Sequence, residues 1–269
     1  MAEFKIGVSG CGGRMGRMVA LEVLETKGMR LVGGIDAADS SHLGRDLGEL
    51  AGVGSLGTKV GSDALGLFRV ADAVIDFSWP AASVGHAKIA AATGKALVIG
   101  TTGLDAAQES ALKQAARKAP ILWAPNMSVG INLLLELVRE AASQLGPDYD
   151  IEILEMHHRH KVDAPSGTAL ALGRAAAAGR GVDLGKKRVA ARDGVSGPRK
   201  AGDIGFAVLR GGDEVGFHQV TFAGSGETVD LAHRATSRRV FARGAVRAAQ
   251  WLARKKPGLY VMADVLAKP

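Results

Sequence analysis

The feature that most restricts the fold is Gly10-Cys11-Gly12-Gly13-Arg14-Met15-Gly16, where the apolar run Phe4–Ser9 gives way to helical spacing from Arg14 to Lys27. Gly10, Gly13 and Gly16 recur at every third position, one residue off the G-x-G-x-x-G pattern of dinucleotide-binding βα units. The physical demand is the same. Glycines permit a tight turn and let backbone N–H groups approach a pyrophosphate, and the start of the following helix adds partial positive charge. Such a turn is weak evidence by itself. The strand before it and the helix after it predict a phosphate-binding βα unit.

Short apolar runs continue to alternate with helical stretches. Leu31–Asp36, Ala73–Phe77, Ala96–Gly100 and Ile121–Ala124 read as strands, and Pro80–Thr93 and Asp105–Lys118 as helices. Near-continuous apolar strands separated by helices predict a parallel sheet covered on both faces. The pattern changes near residue 127. An amphipathic helix over Ser128–Leu145 leads to a strand over Asp150–Met156 and a helix over Pro165–Ala178. Three strands then follow, Ile204–Arg210, Val215–Ala223 and Glu227–Ala235, with the alternation of a sheet wet on one face. Gly181–Gly202, rich in Gly, Lys and Arg, reads as a long mobile loop. A last helix, from Ser237 to Lys255, stops before Pro257-Gly258. The expected class is α/β, an N-terminal Rossmann-like parallel sheet with a second α+β domain for substrate and oligomerisation. The expected domains are 1-127 plus 238-269, with a returning C-terminal helix, and 128-237.

Composition narrows the function. Of 269 residues, 47% are hydrophobic and 23% charged, as in ordinary folded proteins. No apolar run approaches a membrane span, and Met1–Lys5 leads directly into a strand rather than a secretory signal. The single cysteine, Cys11, forms no disulfide within the chain and suits a reducing, cytoplasmic setting. The net charge of +7 invites nucleic acid as a partner, but with 4% aromatic residues and no base-stacking or groove-reading motif it predicts none. Arg234, Arg238, Arg239, Arg243 and Arg247 read instead as a solvated helix face or as attraction for anionic ligands.

Asp36, ending the second strand, is placed to hydrogen-bond the adenosine ribose hydroxyls. Ala37 beside it cannot neutralise a 2′-phosphate, and like charges about 4 Å apart repel by roughly 4 kcal/mol at an effective dielectric near 20. NADH is therefore the favoured cofactor, with NADPH as the alternative if Arg45 or Lys59 swings in. Gly100-Thr101-Thr102-Gly103 and Ala124-Pro125-Asn126-Met127 follow strands whose carboxyl ends form the ligand crevice of an open parallel sheet.

Glu155-Met156-His157-His158-Arg159-His160-Lys161 places six titratable or cationic side chains in seven residues. Burying these unpaired would be costly, whereas a site that binds an anion and delivers a proton needs them. Continued alternation would put His157 and Arg159 on one face and His158 and His160 on the other. His158 and His160 could chelate zinc, but with no cysteine and no third ligand at recognisable spacing the expectation is no metal. A structural histidine cluster is the blander reading. Adjacent His and Lys suit protonation of a carbanion or enamine. Ser166, Gly167 and Thr168, at a helix start behind Pro165, suit a carboxylate.

These segments together resemble the dihydrodipicolinate reductase family over nearly the whole chain. The resemblance runs through Gly10–Gly16, Val74-Ile75-Asp76-Phe77, Gly100–Gly103, Asn126-Met127-Ser128-Val129-Gly130 and above all Glu155–Thr168. It implies His157 as proton donor and acceptor and Lys161 as the proton donor completing reduction. It further implies His158, Gly167 and Thr168 as ligands of a dicarboxylate substrate. Gly10, Cys11, Gly12, Gly13, Arg14, Met15, Asp36, Gly100, Thr101, Thr102, Ala124, Pro125, Asn126 and Met127 would hold the cofactor. Where some members carry Glu-Arg after the second strand, this chain has Asp36-Ala37, a departure that bears on NADPH use. The family also implies a homotetramer joined through the substrate-domain sheets. A homoserine- or aspartate-type dehydrogenase would share the first half but would not need His157–Lys161. A non-catalytic NAD-binding sensor is the rival from another class.

Overall fold

The computed structural model of the chain describes residues 3–267. Residues 1–2 of the expected lead-in Met1–Lys5, and 268–269 at the end of the 238-269 range, lie outside the described residues. The chain divides into two compact units, one running to Val129 and resuming at Arg238, the other spanning Gly130–Ser237.

The first unit contains β1 (Phe4–Ser9), α1 (Arg14–Glu25), β2 (Met29–Ile35), α2 (Leu47–Ala51), α3 (Ala64–Val70), β3 (Ala73–Asp76), α4 (Pro80–Thr93), β4 (Ala96–Ile99), α5 (Ala106–Ala115) and β5 (Pro120–Trp123). The second contains α6 (Val129–Leu145, entering from the boundary), β6 (Asp150–His157), α7 (Gly167–Gly179), α8 (Leu184–Lys187), β7 (Arg188–Val189), β8 (Ile204–Arg210), β9 (Gly216–Ala223) and β10 (Thr228–Ala235). The chain then returns to the first unit with α9 (Arg239–Leu252), β11 (Gly258–Tyr260) and α10 (Met262–Leu266).

The first sheet is parallel throughout, in the order β11-β5-β4-β3-β1-β2. Every residue of β3 and β4 is buried, which is why these strands read as unbroken apolar runs. Ile6, Val8, Ile75, Val98 and Leu122 face a core shared with α1 and α9. Val74, Leu97, Ile99 and Ile121 face the other layer, with α3, α4 and α5. From β1 the chain moves to β2 on one side and β3 on the other, so a crevice opens at the carboxyl ends of β1 and β3.

Several boundaries differ from expectation. Helix α1 ends at Glu25, where the Thr26 hydroxyl donates to Glu22 O and Gly28 takes φ +80°. Strand β2 stops at Ile35, leaving Asp36 just beyond it. Helices α2 and α3 were not anticipated; five and seven residues long, they are too short to show a period, yet Asp46 and Asp63 cap them. Strand β11 is also new, three residues that gain order only by pairing with β5.

The second sheet is mixed, in the order β10-β9-β6-β8-β7. Ile151, Ile153, Ile204, Phe206, Val220 and Phe222 pack on one face with α6 and α7. Gly181–Gly202, expected as one long loop, instead holds α8 and β7. Arg192 donates to both Glu152 carboxylate oxygens at 2.9 and 2.8 Å, and Arg199 bridges Glu152 and Asp150 at 3.0 and 2.6 Å. Charge pairs about 40 residues apart in sequence were invisible to a local reading of composition.

Candidate active site

In the first unit, Ser9, Gly10, Gly13, Asp36, Ala37, Ser78, Trp79 and His86 line a cleft of about 360 Å³ at the β1–β3 crevice. Two glycines make its turn. Gly10 has φ +72°, and a Cβ there would lie 2.4 Å from Phe77 O; a Cβ on Gly16 would lie 2.1 Å from Gly10 O. The turn's own amides are largely committed. Gly10 and Cys11 donate to Ile35 O, Gly13 donates to Gly10 O, and Gly12 donates to Asp36 Oδ2 at 3.2 Å. An anion here would therefore meet the first turn of α1, at Arg14 and Met15, whose N-cap Gly13 brings no side-chain acceptor. Asp36 also accepts from Ala37 N at 2.9 Å, and each carboxylate oxygen keeps a lone pair for a sugar hydroxyl. These features fit a dinucleotide.

The remaining residues of the expected cofactor set are placed differently. Cys11 is fully buried with Sγ turned toward Gly34. Burial, aided by nearby Asp36, pushes its thiol up to about 12, so the reactive thiolate is absent at neutral pH. Gly100, Thr101 and Thr102 follow β4, and Ala124, Pro125, Asn126 and Met127 follow β5, at the same carboxyl edge of the sheet but outside the cleft lining. Thr101 is buried; its hydroxyl accepts from Ser83 Oγ at 2.8 Å and its carbonyl from Trp123 Nε1 at 3.1 Å. Met127 is a core residue, while Asn126 Oδ1 accepts from Ser128 N at 2.9 Å.

Sequence reasoning missed Trp79 and His86. Trp79 is 79% exposed at the cleft. His86 Nδ1 lies 3.1 Å from Asp76 Oδ2, in a buried pair beneath Ser9. Burial raises Asp76, but the bonds from His86 and Ser78 outweigh it and hold the carboxyl below its ordinary range. The available signal was a carboxylate closing the otherwise apolar Ala-Val-Ile-Asp strand.

In the second unit, β6 ends at His157. The expected alternation through His160 therefore does not hold: His158 through Lys161 turn, with Lys161 N donating to His158 O, and the His158 and His160 rings lie 6.3 Å apart. His157 Nδ1 lies 2.5 Å from Glu155 Oε2. Glu155 also accepts from both Arg210 Nη atoms, at 2.8 and 2.9 Å, and from Ser166 N at 2.9 Å. Burial would raise Glu155, but these bonds prevail and hold its carboxyl down at about 2. Ser166 caps α7 by accepting from Ala169 N, and its Oγ lies 3.2 Å from His218 Nε2. Burial, then the neighbouring His157, pushes His218 down to about 3, so its ring is neutral. Gly167 and Thr168 open α7, where a Cβ on Gly167 would meet nothing within 4 Å. Lys161 Nζ donates to Asp163 Oδ1 at 2.7 Å. His157, Lys161 and the α7 start thus combine proton-exchanging groups with a helix terminus suited to carboxylates. Among the described residues, no group of three or more His, Cys, Asp or Glu is placed to hold a metal ion. None of the described helices is long and apolar enough to cross a membrane.

Residues 4–127 match the family described as "Dihydrodipicolinate reductase, N-terminus", and residues 130–266 match "Dihydrodipicolinate reductase, C-terminus". The chain is 53% identical over 267 residues to 4-hydroxy-tetrahydrodipicolinate reductase of Chelativorans sp., covering 99% of this chain and 96% of that one. It is 54% identical to the Brucella abortus enzyme of the same name over 260 residues, 96% of this chain and 97% of that one. Among solved structures, the fold matches dipicolinate-bound dihydrodipicolinate reductase from Paenisporosarcina sp. with TM-score 0.77 and 24% identity, covering 96% of this chain and 97% of that one.

Proposed function

The chain belongs to the dihydrodipicolinate reductase family, and from that premise we propose how its two units divide the reaction. It is an NAD(P)H-dependent 4-hydroxy-tetrahydrodipicolinate reductase of lysine and diaminopimelate synthesis. Residues 1-127 with 238-269 serve as the dinucleotide domain, and 128-237 as the substrate and oligomerisation domain. The observation that carries this division is Glu155–Thr168, where His157, Lys161 and the start of α7 meet on one short stretch.

The reduced nicotinamide, when bound, supplies the hydride to C4 of the dehydrated ring. Within Gly10–Met15 the first turn of α1, at Arg14 and Met15, would hold the pyrophosphate; Asp36 would hold the adenosine ribose, and Gly100–Thr102 with Ala124–Met127 the nicotinamide half. In the second unit, His158, Gly167 and Thr168 bind the substrate carboxylates, which charge-assisted hydrogen bonds do well, and Ser166 supports them from behind, its N–H held by Glu155 and its Oγ by Ala169 N. Lys161 delivers the proton that completes reduction, and His157 exchanges a proton beside it.

NADH is the favoured cofactor, because Ala37 rather than a cation follows Asp36, and the nearby Arg17 is engaged with Gly12 O at 2.8 Å and with His42. The lone, buried Cys11 suits a cytoplasmic setting. The protein works as a homotetramer through the face of its second sheet opposite α6 and α7.

A coupled assay tests the reading. Dihydrodipicolinate synthase, pyruvate and aspartate semialdehyde generate substrate while reduced nicotinamide absorbance is followed. Oxidation should require the complete system, and kcat/KM should favour NADH by about tenfold or more, given like-charge repulsion softened by solvent screening. Equal efficiencies with both cofactors would sink the preference, and no oxidation with either would sink the reductase reading. Lys161→Ala should lower turnover by about 10²–10⁴-fold, as for a positioned acid, with NADH binding unchanged.

A further inference from the structure

We propose that Glu155 and Arg210 form an ionic brace that fixes the His157 ring for proton exchange, making Glu155 a positioning residue in the reductase reaction. The inference rests on the reductase reading of this site and deepens it.

Strand β6 presents Ile151 and Ile153 to the core, and the next position of that alternation is Glu155, whose side chain is only 1% exposed. A buried charge pair is weak as a stabiliser, since the desolvation penalty offsets much of the attraction. Its placement at the strand end, two residues before His157, points to a different task. The carboxylate takes four donors: His157 Nδ1, both Arg210 Nη groups and Ser166 N. A carboxylate offers about four lone-pair sites, so none is left for substrate, and Glu155 acts only through its partners. The Arg210 Nη groups are committed as well, donating also to Leu209 O and Asp163 O at 2.7 Å each. The Nη groups of Arg210 therefore hold Glu155 rather than a substrate carboxylate, while its buried Nε has no hydrogen-bond partner among the described residues.

The consequence falls on His157. With Nδ1–H directed at an ionised carboxylate, Nε2 is the nitrogen that exchanges a proton. The proton leaves from or arrives at Nε2, the ring alternates between imidazolium and neutral imidazole, and Glu155 keeps its charge throughout. Strand β9 bounds the ring on its other side. Gly216 opens β9, paired with Ala235 of β10, and a Cβ there would lie 3.1 Å from His157 Nε2. His218 on β9 stands edge-on to the ring at 5.0 Å between centroids, and the charge of Lys161 in the following turn reaches His218. His233 on β10 stands opposite His218.

The test compares wild type, Glu155→Gln, His157→Ala, their double variant and Gly216→Ala in the coupled assay across pH. Glu155→Gln should lower kcat by about 10–10²-fold, part of what a positioned acid or base contributes, with KM for NADH unchanged. The loss should fall on kcat alone, a split between kcat and KM that a general loosening of the fold would not give. The double variant should be no slower than His157→Ala, as expected of groups acting as one unit. Gly216→Ala, which leaves Glu155 and Arg210 themselves unchanged, should lower kcat by crowding Nε2 off its position, and gives an independent reading if Glu155→Gln does not fold. Wild-type turnover matched by both Glu155→Gln and Gly216→Ala, or multiplied losses in the double variant, would overturn the brace alone. Wild-type protein without substrate-dependent oxidation would overturn the reductase reading and the brace with it.

Discussion

His218 faces Glu155 across the β6–β9 ladder, and its burial has a measurable cost in acid. In the unfolded chain the ring takes a proton near 6.5; in the fold it does so only at about 3. The folded value is depressed, so its contribution is complete above 6.5 and is lost as pH falls toward 3. Glu155, ordinarily near 4.5 and held at about 2 here, adds a second loss below 4.5. Thermal unfolding followed from pH 7 to 4.5 should show a falling midpoint that His218→Gln flattens. An unchanged slope would mean that another group carries the effect. At this scale the sequence was most readable where chemistry is dense and local, as from His157 to Lys161. Arg210 is 55 residues from Glu155, and Trp79 is a single extended residue before α4, so neither stood out.

Helices and strands were legible in proportion to their length and the burial they achieve alone. Helix α4 runs from Pro80 to Thr93 as expected, with Pro at its start and Gly94 at φ +67° behind it. Strand β8 likewise keeps its expected limits, Ile204–Arg210. Elements such as β7 and β11 exist only because a longer neighbour offers hydrogen bonds. Helix α9 shows what tertiary contact adds to a helix. It packs against α1, where Arg239 pairs with Glu22 at 2.8 Å, and a Cβ on Gly244 would lie 1.7 Å from Met127 O. By helix propensity alone Gly244→Ala would gain about 1 kcal/mol. Overpacking costs of about 1–3 kcal/mol, here against unyielding backbone, should prevail. The variant should unfold at a lower temperature than wild type; a raised melting temperature would mean that α9 shifts freely.

For the whole molecule, the open question of assembly turns on the second sheet. One face is covered by α6 and α7, and the strand alternation turns Leu154, Met156, Ala207, Leu209 and Phe217 to the other. Leu209 is 48% exposed there. The proposed homotetramer should give a light-scattering mass four times the 27.7 kDa chain, and Leu209→Glu should shift it to smaller species with circular dichroism unchanged. A wild-type monomer would rule the assembly out. The sequence by itself determined the βα turn at Gly10–Gly16, the apolar strands of a parallel sheet and the dense run of titratable residues from Glu155 to Lys161, because each is written in residues close together along the chain. Tertiary structure alone decided that Asp36 closes onto Gly12, that Cys11 points into the core and that Arg210 braces Glu155. Those contacts join residues tens of positions apart, and which of them form depends on strand register and packing that no local pattern encodes.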